Sequence, residues 1–181
     1  ELNNRINKEL VDLEMKNAKI NVKVEYKIDE FFEDGKDQVG IFIKTNIGEN
    51  ESELTKIASG GEMSRIMLAI KKVLAEVDNM PVMIFDEIDT GISGKAAKSV
   101  ANKMRSISKN HQVLCISHLA PIAAMADYNY FISKKVENDR TCTNVRLLNE
   151  QEVLCEIARI SSGEINDVTL QYANELRNKI A

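Results

Sequence analysis

The sequence predicts an α/β fold: a mostly parallel sheet flanked by helices, with an antiparallel hairpin on its N-terminal side. Three observations carry this. Ile20, Val22, Val24, Tyr26 and Ile28, then Val39, Ile41 and Ile43, alternate with polar residues around the turn signal Asp34-Gly35-Lys36-Asp37, the period-two pattern of two paired strands with one wet face. The middle of the chain interleaves long helical stripes with short apolar runs, Pro81 to Phe85 and Val113 to Ile116, an order that puts the strands parallel. Those two runs end on Asp86-Glu87 and on Ser117-His118, which places chemistry-bearing residues at one edge of the sheet.

The bulk composition narrows the class. A chain of 181 residues, 44% hydrophobic and 29% charged, holds one domain or one domain with an appendage. A net charge of −4 and a pI near 5.4 do not mark a nucleic-acid binder by bulk charge. Three cysteines, Cys115, Cys142 and Cys155, form no CxxC pair, so neither a zinc ribbon nor a disulfide framework is expected, and a reducing cytosol fits. No apolar run approaches the length of a membrane span. Glu1 rather than Met at the start reads as an excised fragment.

Taken in order, Leu2, Ile6, Leu10 and Leu13 predict a helix over about residues 1–16, the end of a longer coiled coil or connecting helix. Residues 17–181 form the main unit. The hairpin spans 20–46, and the polar stretch from Ile47 to Ser52 is expected to be irregular. Met63, Ile66, Met67, Ile70, Val73, Leu74 and Val77 predict a helix over about 62–78. A fully apolar strand follows at 81–86, then a helix carrying Ala97, Val100, Ala101, Met104 and Ile107, and a second buried strand at 112–117. Pro121 to Ala126 predicts a short helix with proline in its first turn. Tyr128 to Ser133 and Thr141 to Leu148 predict two strands around the turn at 137–140, and helices follow at about 150–161 and 165–180.

Ser59-Gly60-Gly61-Glu62 precedes a strong helix. Its common reading is a capping box, Ser59 at the N-cap and Glu62 three residues on. Ser161-Ser162-Gly163-Glu164 fits the same pattern before a helix and has no chemistry downstream. Its functional reading is a helix start with bare N–H groups that can bind phosphate. Both can hold together. In a nucleotide site Asp86 holds magnesium through its water shell, and Glu87, facing the other way along the strand, orients and deprotonates the attacking water. The plain alternative is a solvated acidic pair at a strand end. Asp89-Thr90-Gly91-Ile92-Ser93-Gly94 is a glycine-flanked turn whose Ser93 can cap the next helix. Gly91 to Lys95 imitates a phosphate loop with glycines too closely spaced. His118 ends its strand at the carboxyl edge, where open α/β sheets bind ligands; His111 is a loop residue at the opposite end.

In this order and spacing, Ser-Gly-Gly-Glu, helix, strand ending Asp-Glu, Asp-x-Gly, strand ending in His, the chain resembles the C-terminal lobe of an ABC-type (P-loop NTPase) ATPase head. Glu62, where transporters usually carry Gln, leans toward the SMC-like branch. Residues 56–71, 82–97 and 112–127 resemble more closely still the RecN family of bacterial double-strand-break repair proteins, and the similarity runs from about residue 10 to the end. This resemblance implies roles. Ser59, Gly60, Gly61 and Glu62 match the signature that contacts the nucleotide of a partner head. Asp86 and Glu87 match Walker B and the catalytic glutamate, Asp89 the D-loop, and His118 the switch histidine. Arg65 falls where the SMC-like branch commonly has a basic residue. Two positions depart: Ala58 stands in place of Leu, and Ala120-Pro121 follows His-Leu where proline is expected next.

No G-x-x-x-x-G-K-[ST] occurs in these residues. The resemblance places that loop in an N-terminal half, separated by a coiled coil. It implies ATP and Mg2+ as cofactors of the complete head, with weak or absent ATP binding by this chain alone, so the chain by itself need not be an enzyme. It also implies as partners the N-terminal half, a second head in a homodimer, and DNA through the full-length protein, in the bacterial cytoplasm at the nucleoid, with no membrane. A second function class is the nucleotide-binding subunit of an ABC transporter, disfavoured by Glu62; a third is a non-catalytic interaction module, disfavoured by the intact Asp86, Glu87 and His118. Lys95, Lys98, Lys103, Arg105, Lys134 and Lys135 read as solvated faces rather than a DNA track.

Overall fold

The computed structural model describes residues 1–28, 31, 33, 35–56, 60–75, 80–137 and 140–178. Ser59, and with it the expected Ser59–Glu62 capping box, lies outside the described residues, as do Ala58, Val77, Asp34 and the turn residues Asn138 and Asp139. The chain divides into two compact units, Glu1–Ile92 with Ser106–Ile116, and Ser93–Arg105 with Ser117–Ala181. No helix among the described residues is long and apolar enough to cross a membrane.

In the first unit, α1 (Leu2–Asp12) buries Ile6 and Leu10. It stops short of the expected 16 because Glu14 turns left-handed, with φ 60°. Met15 N–H then donates to the Leu10 carbonyl at 2.9 Å and Glu14 N–H to that of Val11 at 3.1 Å. This is a Schellman ending with glutamate where glycine is usual. Strands β1 (Lys19–Tyr26) and β2 (Asp37–Lys44) pair antiparallel with Ile20 opposite Ile43 and Val24 opposite Val39. The polar stretch after β2 leads into β3 (Ser52–Glu53), which adds to β2. The asparagines of α1 tie the helix to β1. Asn7 Oδ1 accepts Ile20 N–H at 2.7 Å, Asn7 Nδ2 donates to the Ile20 carbonyl at 3.0 Å, and Asn3 Oδ1 accepts Val22 N–H at 3.0 Å. One helical turn thus matches two strand residues, and the strand's edge groups are satisfied by side chains.

Helix α2 (Gly60–Leu74) packs against α1. The expected apolar stripe is wider than the alternation suggested: Leu68 and Ala69 are buried as well as Ile66, Ile70 and Val73, whereas Met63 and Met67 are half-buried. Strands β4 (Val82–Phe85) and β5 (Gln112–Cys115) pair in parallel, Phe85 opposite Cys115, and Ile116 N–H continues to the Phe85 carbonyl at 3.0 Å. Neither strand is buried on both faces, as the apolar runs had implied. Met83 and Phe85 are buried, but Ile84 is 69% exposed, and Leu114 and Ile116 share its bare face. Among the described residues β4 and β5 form a sheet of only two strands, separate from the antiparallel sheet β1–β2–β3 of the same unit, and no layer covers that face.

The second unit holds most of α3 (Gly94–Ser108), then α4 (Ala120–Met125), the hairpin β6 (Tyr130–Glu137) and β7 (Arg140–Leu147), α5 (Glu150–Ser162) and α6 (Asp167–Asn178). Its core is Ala120, Ala124, Val153, Ile157, Ala158, Ala173 and Leu176. Proline sits in the first turn of α4, as expected. Asn149 and Glu152 form a reciprocal capping box for α5 at 3.0 and 2.9 Å, an arrangement that contributes ~1 kcal/mol. The Ser161–Glu164 pattern is not a helix start. Ser161 and Ser162 donate to carbonyls of their own helix, Gly163 ends α5 in the left-handed conformation at φ 81°, and α6 is capped instead by Asn166, whose Oδ1 accepts Thr169 N–H at 3.0 Å. Glycine at the fourth position from Arg159 decides for a C-terminus.

The bare face of Val82, Ile84, Leu114 and Ile116, flanked by unpaired strand edges among the described residues, predicts self-association of this chain on its own. Sedimentation velocity over a concentration series should show a rising average sedimentation coefficient, and Ile84→Lys should flatten it. A wild-type chain that stays monomeric throughout would contradict this.

Candidate functional site

The first unit brings the start of α2 against the turn that follows β4. A Cβ built on Gly60 would lie 2.8 Å from Glu87 Oε2, and one on Gly61 would lie 2.6 Å from the Thr90 carbonyl oxygen. Only glycine permits this approach at Gly61, because the obstacle is backbone and cannot swing away. The glycine-rich start of a helix and the acidic end of a strand, separated by a whole helix in sequence, are therefore neighbours.

The turn itself is unusual. Glu87 takes a left-handed backbone, φ 56°, although it is not glycine, a conformation that surrounding contacts must hold. Glu87 N–H donates to Asp86 Oδ1 at 3.0 Å, and Thr90 N–H donates to the Glu87 carbonyl at 3.1 Å. From the helix, Ser64 Oγ donates to the Asp86 carbonyl at 3.0 Å and Arg65 Nη1 donates to the Thr90 carbonyl at 3.0 Å. Asp86 and Glu87 are exposed, Ile88 is fully buried, and Asp89 is 2% exposed. The turn thus hangs two carboxylates outside and anchors itself by Ile88 and Asp89.

Arg65 is only 8% exposed, and its Nε is buried with no partner. Burial lowers its pKa, and the nearby Glu62 charge partly opposes the shift. Cys115 lies in the same unit, one residue beyond Leu114 on the covered face. Its thiol is pushed up to about 12, by burial first and then by the charges of Asp89 and Asp86. It is a protonated packing residue.

The structure therefore brings together Gly60, Gly61, Glu62, Asp86, Glu87 and Asp89 in the first unit. His118 belongs to the second unit, where it is exposed; Ser117 Oγ accepts Leu119 N–H at 3.0 Å around it. His111, read as a loop residue, lies against the carbonyls of Met80 at 2.8 Å and Ala75 at 3.2 Å and so braces the approach to β4. Ser64 was missed by sequence reasoning. Arg65 carried a signal: it stands in helical phase with Ala69 and Val73, so a charge falls on the buried side of α2.

No protein-family model matches the chain. Among curated proteins it is 44% identical over 180 residues to the DNA repair protein RecN of Halalkalibacterium halodurans, a match covering 97% of this chain and 32% of that protein. It is 46% identical over 145 residues to RecN of Bacillus subtilis, covering 80% of this chain and 25% of that protein. The sequence is RecN-like. The chain spans about a quarter to a third of the length of the curated relatives it matches. Among solved structures, the Smc head domain with coiled coil and joint from Pyrococcus yayanosii matches 89% of the chain, and the chain 29% of it, at a TM-score of 0.62 and 18% identity. A chain solved in work on ATP-driven dimerization and DNA-stimulated activation of SMC ATPases matches at a TM-score of 0.54 and 18% identity, with 91% of this chain and 93% of that one covered. At such identities the likeness is one of fold: the chain has the mixed α/β fold of an SMC ATPase head, of the ABC-type P-loop class.

Because the folded thiol of Cys115 holds its proton up to about 12 while an unfolded one releases it from 9.0, folding stability contributed here is complete below pH 9 and falls as pH rises from 9 toward 12. Urea unfolding at pH 8 and pH 10 should show a larger loss for the wild type than for Cys115→Ala. Equal losses in both proteins would mean that the thiol ionises freely in the folded chain.

Proposed function

We propose that this chain is the hydrolytic, signature-bearing part of an SMC-like ATPase head of a RecN-type protein acting in DNA double-strand-break repair and recombination. The observation that carries the reading is the close approach of the Gly60–Gly61 helix start to the Asp86–Glu87 turn. One wedge then presents backbone N–H groups and a helix dipole suited to phosphate beside carboxylates suited to metal and water. In this reading Ser59, Gly60, Gly61, Glu62 and Asp89 meet the nucleotide of a second head. Glu87, exposed and held by its turn, orients a water and takes its proton, and His118, following β5 in sequence as Glu87 follows β4, contacts the terminal phosphate.

Asp86 fits a magnesium ion of the kind nucleotides bring. Its Oδ1 is engaged by Glu87 N–H while the residue stays exposed, and no group of three or more ligating side chains among the described residues would hold a bare ion. Magnesium carried mainly by water and phosphates needs only such a single carboxylate, and when bound it would offset phosphate charge.

The remaining parts follow from the same reading. An N-terminal half of the protein supplies the phosphate loop absent from these residues, a second head completes each nucleotide site, and DNA engages the longer protein, as ATP-driven dimerization and DNA stimulation are reported for SMC ATPases. The protein would work in the bacterial cytoplasm, at the nucleoid.

Calorimetric titration of this chain with Mg-ATP should show weak binding or none, and micromolar affinity would overturn the division of labour. In the longer protein, Glu87→Gln should abolish turnover and accumulate ATP-bound dimers; continued hydrolysis would remove Glu87 from its role.

A further inference from the structure

We infer that Ser64 and Arg65 are positioning residues which staple α2 to both ends of the Asp86–Thr90 turn, so that the glycine-rich helix start and the Glu87 carboxylate move as one body. The inference rests on the reading of Glu87 as the base. Ser64 Oγ holds the first carbonyl of the turn, that of Asp86, and Arg65 Nη1 holds the last, that of Thr90, each at 3.0 Å. The bonds inside the turn, Glu87 N–H to Asp86 Oδ1 and Thr90 N–H to the Glu87 carbonyl, close it on itself. They do not fix it to the helix; the two side chains do. Between the staples Glu87 keeps a left-handed backbone at φ 56°, which persists only where its surroundings over-determine it.

Arg65 is hard to explain as a stabilising residue. A cation that is 8% exposed, hydrogen-bonded to a neutral carbonyl, with a buried Nε that has no partner and only the nearby Glu62 charge to offset its burial, costs solvation that an apolar side chain of the same length would not. The neighbouring Met63 and Met67 show that the helix accommodates such side chains. What methionine could not do is donate to the Thr90 carbonyl. The consequence is a coupling: whatever engages the Gly60–Gly61 start displaces or holds the Glu87 turn with it, because the helix has no slack at Gly61, where a Cβ would meet the same Thr90 oxygen at 2.6 Å.

The test uses the longer protein, with Arg65→Met, Arg65→Lys and Ser64→Ala compared with Glu87→Gln. Arg65→Met should keep the melting temperature, lower kcat by about tenfold or more, a ~1.4 kcal/mol change, and leave KM for ATP unchanged. Arg65→Lys, which retains a donor, should recover most of kcat, and Ser64→Ala should fall between. Wild-type kcat in a folded Arg65→Met, or a change in KM alone, overturns the inference while an inactive Glu87→Gln leaves the base assignment standing. An active Glu87→Gln removes that assignment instead. If Arg65→Met does not fold, the kcat-against-KM split in Ser64→Ala decides in the same way.

Discussion

The first unit is organised around a single close approach, that of the α2 helix start to the turn after β4. Two glycines make room for it, and two side chains of the same helix fasten it. The strain in the Glu87 backbone is tolerable only because this contact holds. Burial of Ile88 and Asp89 beneath the turn then leaves Asp86 and Glu87 outside, where they can meet a ligand. Stability and chemistry divide along the turn: its first two residues are presented to solvent and the next two anchor it.

The second constraint is the two-stranded parallel sheet. Parallel strands are normally covered on both faces, yet here Met83 and Phe85 face a core while Ile84 and Leu114 face solvent. The apolar residues on that open face are the same kind that fill the closed one. This matches a chain that spans only a quarter to a third of its RecN relatives, and it gives a physical sense to the proposed division of the nucleotide site between halves. In the antiparallel sheet, by contrast, the asparagines of α1 occupy the edge groups of β1 at Ile20 and Val22, although Val24, Tyr26 and Val39 are exposed beyond that stretch.

Most elements were legible in the residues because their signals are local. Period-two alternation located β1 and β2; their register, with Val24 opposite Val39, comes from the structure. The stripes located α2 and α3, and the two final helices fall where expected, whereas β6 runs on to Glu137 and pairs it with Arg140, two residues expected in the turn. The failures were at ends and faces. The S-x-x-E string from Ser161 to Glu164 fits a helix-start pattern, but the left-handed Gly163 makes it a helix end. Glu14 stops α1 early by taking a conformation that its residue type does not advertise. The apolar runs at β4 and β5 announced burial on both faces, yet Ile84, Leu114 and Ile116 are exposed, because a strand's composition does not say which neighbours cover it.

The candidate site divides in the same way. Residue types and spacing alone determined that the chain carries a glycine-rich helix start, a strand-end acidic pair and a short acidic turn, since each is a contiguous string; the histidine expected at the end of the second strand lies three residues beyond Cys115, where β5 stops. Tertiary structure alone decided that Gly60 lies against Glu87, that Glu87 is held left-handed, and that Ser64 and Arg65 grip the turn at its two ends. Contacts between segments separated by a helix and a strand depend on how those elements pack, and packing is a property of the assembled core that no local string encodes.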